Sequence, residues 1–286
     1  MAIYRIDGSR INIAYDVNGG NIGTALNISG NIVYQISDPM DDYIDGRILT
    51  FEDNFDGNIL DGTKWTYELG DLNKNNESQA YRKQNVSIED GCLVITAKRE
   101  DFLSKHWTSG SITTEGKFTQ KYGRWEAKVK FPNLRGAFCA FWMKGASQIN
   151  HYDEYGERTV EGVQWPKCGE IDITETIPGN ATTAQANLWK YSGGSFGGGR
   201  SGNIDSSQWH LYAVEWTDAD IKVSVDGTVY KSWTYASYAA SEMQAYHLPF
   251  FMIVNMAVGS SGGTPSSDIS EMKMYVDWVR VYAPLS

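Results

Sequence analysis

Period-two alternation, with no sustained helical period to rival it, most limits what this chain can fold into. In "RWEAKVKF", Trp125, Ala127, Val129 and Phe131 fall on one face, and Arg124, Glu126, Lys128 and Lys130 on the other. That is a strand with one face toward a core. "IKVSVDGTVY" reads as a hairpin turning at Asp226-Gly227. "CLVITAK", "WHLYAVEW", "FFMIVNMAV" and "MYVDWVRVY" add further strands. No apolar 3.6-residue period lasts a dozen residues, and only short helical turns are expected around "SYAASEMQAY". Many short strands without helices imply an all-β sandwich or barrel. With 286 residues, 41% of them hydrophobic, the chain can bury one large core of this kind.

Residues 1–48 stand apart. "RIDGSRI", "DVNGGNI" and "NISGNIV" place Gly8, Gly19 and Gly30 eleven residues apart. Short strands joined by tight turns explain this weak repeat. A small β-repeat appendage over 1–48, without chemistry of its own, followed by one main domain over 49–286, is the expected division. Against 25 basic residues stand 35 acidic ones, a formal charge of -10. Such a chain repels nucleic acid and anionic membranes and suits a neutral ligand. No apolar run approaches the roughly 18 residues of a membrane helix. The opening "MAIYRIDGSRINIAYDV" has no signal-peptide core, which leaves open a removed signal, another export route or an internal protein. Cys92, Cys139 and Cys168 are scattered without a CxxC spacing, and buried free thiols are expected.

The chemistry concentrates in "KCGEIDITETIPG", residues 167–179. Ile171, Ile173 and Ile177 mark a packed strand. On a regular strand Glu170 and Asp172 share a face, and Glu175, at an odd offset, points the other way. Charges on a central strand are costly unless their face opens on a cleft. One extra residue within Ile173–Thr174, a β-bulge, would return Glu175 to the face of the other two. Two carboxyls flanking a third suit glycoside hydrolysis, in which a nucleophile and an acid/base act about 5–5.5 Å apart in retaining enzymes. On spacing alone, a structural or solvated acidic face explains the acids as well. Ten tryptophans add to the case. Trp142, Trp165 and Trp189 lie in Gly- or loop-rich contexts near the acids, and aromatic faces stack on sugar rings. Core packing is the plain reading of any one of them.

"WPKCGEIDITE" resembles the catalytic signature of glycoside hydrolase family 16 in its bulged, laminarinase-like form, E-x-D-x-x-E. "FEDNFDG", "KWTYELG", "NNESQAY", "NVSIEDGCLVITAKRE", "YGRWEAKVKFP", "AFWM", "VEWTDADIKVSVDG", "PFFMIVNMAVG" and "MYVDWVRVY" resemble its other blocks, in family order, over roughly residues 50–283. The resemblance implies a jelly-roll β-sandwich of two curved antiparallel sheets with an open concave substrate groove. It implies Glu170 as nucleophile, Asp172 as its supporting partner and Glu175 as general acid/base. Asn76, Trp142, Trp165 and Asn255 match substrate-binding positions. Trp189 stands where many members have a histidine. No cofactor is implied for catalysis; a structural Ca²⁺ is, held by Asn54, Gly91 and Asp277, whose oxygens suit that ion. Two further departures fall near the groove. Ser111 replaces the arginine of "TSARI", and the loop over 145–164 is longer than usual.

Together these imply a retaining endo-β-glucanase acting on β-1,3- or mixed β-1,3/1,4-glucan, monomeric, and extracellular or at the cell surface. The alternatives are a galactanase acting on agar- or carrageenan-like polymer, and a non-catalytic glycan-binding jelly roll.

Overall fold

The structure, a computed structural model, describes residues 47–284 except 73–74, 153–157 and 177–182, and ahead of them only short strand backbones between Arg5 and Ile44. Among these, Arg5–Ile6 pairs with Ser9–Arg10 and Ala25–Leu26 with Ile32–Tyr34. The stretch around Gly19 lies outside the described residues. The expected boundary after residue 48 falls inside a strand, Arg47–Asp53. This strand pairs with Glu271–Tyr282, and Arg47 joins Glu215 at 2.7 Å.

Two sheets form the body, in a sandwich of jelly-roll type. The smaller, of seven strands, contains β1 (Thr66–Tyr67), β2 (Ser111–Thr113), β3 (Ala137–Gly145), β4 (Glu170–Thr176), β5 (Ala184–Leu188), β6 (Gly199–Arg200) and β7 (Phe250–Val258). Its spatial order is β6-β5-β4-β3-β7-β2-β1, with every neighbour antiparallel. The larger sheet is built around Gly123–Lys130, His210–Trp216, Cys92–Lys98 and Glu271–Tyr282. One pair in it departs from the antiparallel rule: Trp107–Ser109 runs parallel to Gln79–Tyr81.

The core lies between the sheets, as alternation dictates. Trp125, Ala127 and Val129 from the larger sheet meet Phe141, Met143, Ile171 and Ile173 from the smaller. On the outward face of "RWEAKVKF", Arg124 binds Glu126 at 2.6 Å and Glu215 at 3.0 Å. This accounts for a buried Glu126. Asp226 and Gly227 both have positive φ, 47° and 77°, completing the expected hairpin. The helical turns are peripheral: Ala240–Met243 and a 3₁₀ turn over Gln244–His247. Cys139 and Cys168 are buried, Cys92 is half-buried, and none is paired.

Candidate active site

β4 carries the acids, and its pairing slips on both sides. Against β3, Phe141 faces Thr174 while Trp142 faces Asp172, so Ile173 has no opposite number. Against β5, Asp172 faces Asn187 while Glu175 faces Gln185. One extra residue therefore sits between Asp172 and Glu175, the bulge that the spacing required. Glu170, Asp172 and Glu175 consequently line one cleft, of about 450 Å³, while Ile171 and Ile173 point into the core.

The turn leading into β4 is tightly held. A Cβ on Gly145 would lie 1.8 Å from the carbonyl oxygen of Cys168, so only glycine lets β3 end against that turn. Tyr246 fixes the start of β4. Its hydroxyl donates to the Glu170 carbonyl at 3.0 Å and also contacts the carbonyl of Trp189, while Trp189 N–H donates to it at 3.1 Å. The backbones of an acid and of a cleft tryptophan are thereby joined through one buried phenol.

Burial sets the electrostatics. It pushes the Asp172 carboxyl well above its usual range, helped by the charges of Glu175 and Glu170 and opposed by a hydrogen bond from Trp189. Trp189 Nε1 donates to Asp172 Oδ2 at 3.1 Å. The tryptophan that replaces the family histidine thus presents an N–H to the middle acid. Burial also pushes Glu175 up to about 7, against a hydrogen bond from Gln185. A carboxyl protonated near neutrality beside two others is arranged for proton transfer.

The other expected cleft residues converge, with one exception. Trp142, Trp165, Trp189 and Asn255 all line the cleft. The Trp165 and Trp189 rings meet edge to face at 5.3 Å, and Trp165 remains 44% exposed, free to stack on a ligand. Trp142 Nε1 donates to Asn255 Oδ1 at 2.8 Å, and Asn255 Nδ2 donates to the Tyr81 hydroxyl at 2.9 Å. Asn76 is not among the lining residues; its neighbour Asn75 is. Both hold positive φ, 51° and 54°, so consecutive left-handed residues turn one side chain in and the other away.

Lys144, Glu77, Tyr81 and Arg158 also line the cleft and were not anticipated. Lys144 was within reach of the sequence. Phe138, Ala140, Trp142 and Lys144 follow period two, and all four line the cleft. The long loop folds as a hairpin, Gln148–Tyr152 with Arg158–Gly162. Its Asn150 donates to Glu115 from N and Nδ2, at 2.7–2.9 Å, and its Tyr152 hydroxyl donates to Glu68 at 2.8 Å. Ser111 Oγ donates to the other Glu68 oxygen at 2.7 Å. Gln148, Arg158 and Val160 make the hairpin a cleft wall.

Asn54, Gly91 and Asp277 do not line the cleft. Leu93 faces Val276, which sets the Gly91 turn beside Asp277. Asp277 Oδ2 lies 2.8 Å from Lys128 Nζ, and Arg280 reaches Asn54 Oδ1 at 3.4 Å. Among the described residues no three His, Cys, Asp or Glu side chains cluster to hold a metal. One carboxylate with carbonyl oxygens suits Ca²⁺, with Lys128 competing for that carboxylate.

Residues 73–280 match the family model described as glycosyl hydrolases family 16. The chain is 34% identical to the clotting factor G alpha subunit of Tachypleus tridentatus, over 83% of this chain and 34% of that protein. It is 30% identical to the glucan endo-1,3-beta-glucosidase A1 of Niallia circulans, over 96% of this chain and 46% of that protein. The chain thus spans a third to a half of the length of these two relatives. The solved laminarinase from Flavobacterium sp. UMI-01 superposes with a TM-score of 0.71 at 32% identity, over 82% of this chain and 100% of that one.

Proposed function

Because this chain belongs to glycosyl hydrolase family 16, we propose that it is an endo-acting β-1,3- or β-1,3/1,4-glucanase that cleaves with retention. The observation that carries this is the bulge that brings Glu170, Asp172 and Glu175 to one cleft. Glu170 attacks the anomeric carbon while Glu175 protonates the departing glycosidic oxygen. Glu175 then takes a proton from the water that releases the sugar from Glu170. Asp172, whose carboxyl burial pushes well above its usual range, supports the charge that moves along the row. Trp165 and Trp189 offer faces to sugar rings, and Asn75 and Asn255 offer polar contacts. The glucan substrate follows the relatives named glucan endo-1,3-beta-glucosidase and laminarinase. Hydrolysis of this kind needs no cofactor. A Ca²⁺ at Asn54, Gly91 and Asp277 would be structural and take no part in a step. The protein acts as a monomer outside the cell or at its surface.

Lys144 and Arg158 in the cleft favour one second reading, a galactanase accepting an anionic polymer. Products from laminarin, mixed-linkage glucan, neutral agarose and sulfated carrageenan, compared side by side, separate the two. The mechanism is tested with azide on an activated aryl β-glucoside. Glu175→Ala should accumulate the glycosyl-enzyme and yield a β-glycosyl azide of retained configuration. Glu170→Ala should yield the inverted azide from direct attack. NMR showing the stereochemistry swapped between the two variants would reverse the assignment.

A further inference from the structure

Two bulges, one in each sheet, meet at a single hydrogen bond. The first leaves Ile173 without an opposite number in β4. The second lies in Thr228–Thr234, the edge strand of the larger sheet. There Val223 faces Lys231 and Ser224 faces Val229, so Tyr230 is the extra residue. The Tyr230 hydroxyl crosses between the sheets and donates to the Ile173 carbonyl oxygen at 2.7 Å. An extra residue in a ladder loses its regular partners, and Ile173 is fully buried, out of reach of water. Tyr230 supplies the donor that the bulge would otherwise lack.

We propose that Tyr230 is a positioning residue for Glu175: its phenol locks the β4 bulge in the register that turns Glu175 into the cleft. Glu170 and Asp172 precede the bulge and keep their orientation without it, so the dependence falls on Glu175. Burial keeps the phenol protonated, with Tyr212, Glu175 and Asp172 adding to the effect, so it remains a donor throughout the working pH range. The inference rests on Glu175 being the acid/base.

The test compares two aryl β-glycosides of one glucan oligosaccharide, with dinitrophenol and phenol as leaving groups. Loss of a positioned acid is felt mainly by the poor leaving group. Tyr230→Phe should therefore lower kcat/KM at least about tenfold on the phenyl substrate and less than about threefold on the dinitrophenyl one. Tyr212→Phe removes another interior phenol, one whose hydroxyl has no partner among the described residues. It should leave both rates near wild type. Equal losses on both substrates in Tyr230→Phe, or none, overturn the inference. Should Tyr230→Phe not fold, Tyr230→His, whose shorter ring sets its donor farther from the carbonyl, carries the same comparison with the same outcomes. Glu175→Ala serves as the reference. If it fails to discriminate between leaving groups, the acid/base reading itself falls, and the inference with it.

Discussion

Glu175 meets the cleft with its pKa pushed up to about 7 by burial. The first chemical step needs that proton. On glucan, kcat/KM should therefore fall as pH rises through about 7, and titrated rates on the phenyl and dinitrophenyl substrates should show the limb only with the poorer leaving group. Stability carries the same signature. An acid whose folded pKa lies above its ordinary 4.5 favours folding fully below 4.5 and loses that contribution as pH climbs to about 7. Glu175→Gln should thus stabilise the fold at about pH 8 by on the order of 3 kcal/mol and change it little at about pH 4. Calorimetry at both pH values decides, and a destabilised variant at the higher pH would reject burial as the cause. The three acids were legible because isoleucines flank them on a strand that cannot tolerate solvated charge. Trp189 as the hydrogen-bond donor to Asp172 was not legible, because seventeen residues and a strand register separate the pair.

The bulge is the element on which the chemistry turns. Deleting Ile173 makes the offset from Asp172 to Glu175 even, so regular pairing should still turn Glu175 into the cleft. Turnover on glucan should therefore survive the deletion far better than the loss of roughly a hundredfold or more expected when an acid/base is removed, as in Glu175→Ala. A deletion variant that folds but is as inactive as Glu175→Ala would show that the bulged backbone itself, and not the face alone, places Glu175. This element could be inferred in advance, since three carboxylates with one odd offset have few other common solutions. Sheet order could not. β3 pairs with β7 across more than a hundred residues, and no local pattern encodes which long-range partner a strand selects. The anchors of the Gln148–Gly162 hairpin were hidden likewise: Glu68 and Tyr152 lie 84 residues apart. Chain length alone marked the loop as unusual, not what it would hold.

At the scale of the whole molecule, the strand Arg47–Asp53 belongs to the body, through its pairing with Glu271–Tyr282 and the Arg47–Glu215 ion pair. Cutting ahead of Arg47 should leave glucan hydrolysis close to that of the full chain. Cutting after residue 48 should also lower the melting temperature, because it removes that ion pair and the hydrogen bond from Ala283 N–H to the Ile48 carbonyl; differential scanning of both truncations distinguishes them. A Ca²⁺ at Asn54, Gly91 and Asp277 would stabilise by mass action. Chelation should then lower the melting temperature while initial rates at moderate temperature hold; a prompt, reversible loss of activity in folded protein would make the ion catalytic instead. The thiols described above carry a last consequence. Burial pushes Cys168 up to about 11 and raises Cys139 and Cys92 as well, so each is a poor source of the thiolate that oxidation requires. With no disulfide to form or lose, the fold is indifferent to redox potential, and a reducing cytoplasm and an oxidising exterior present it with the same folding problem.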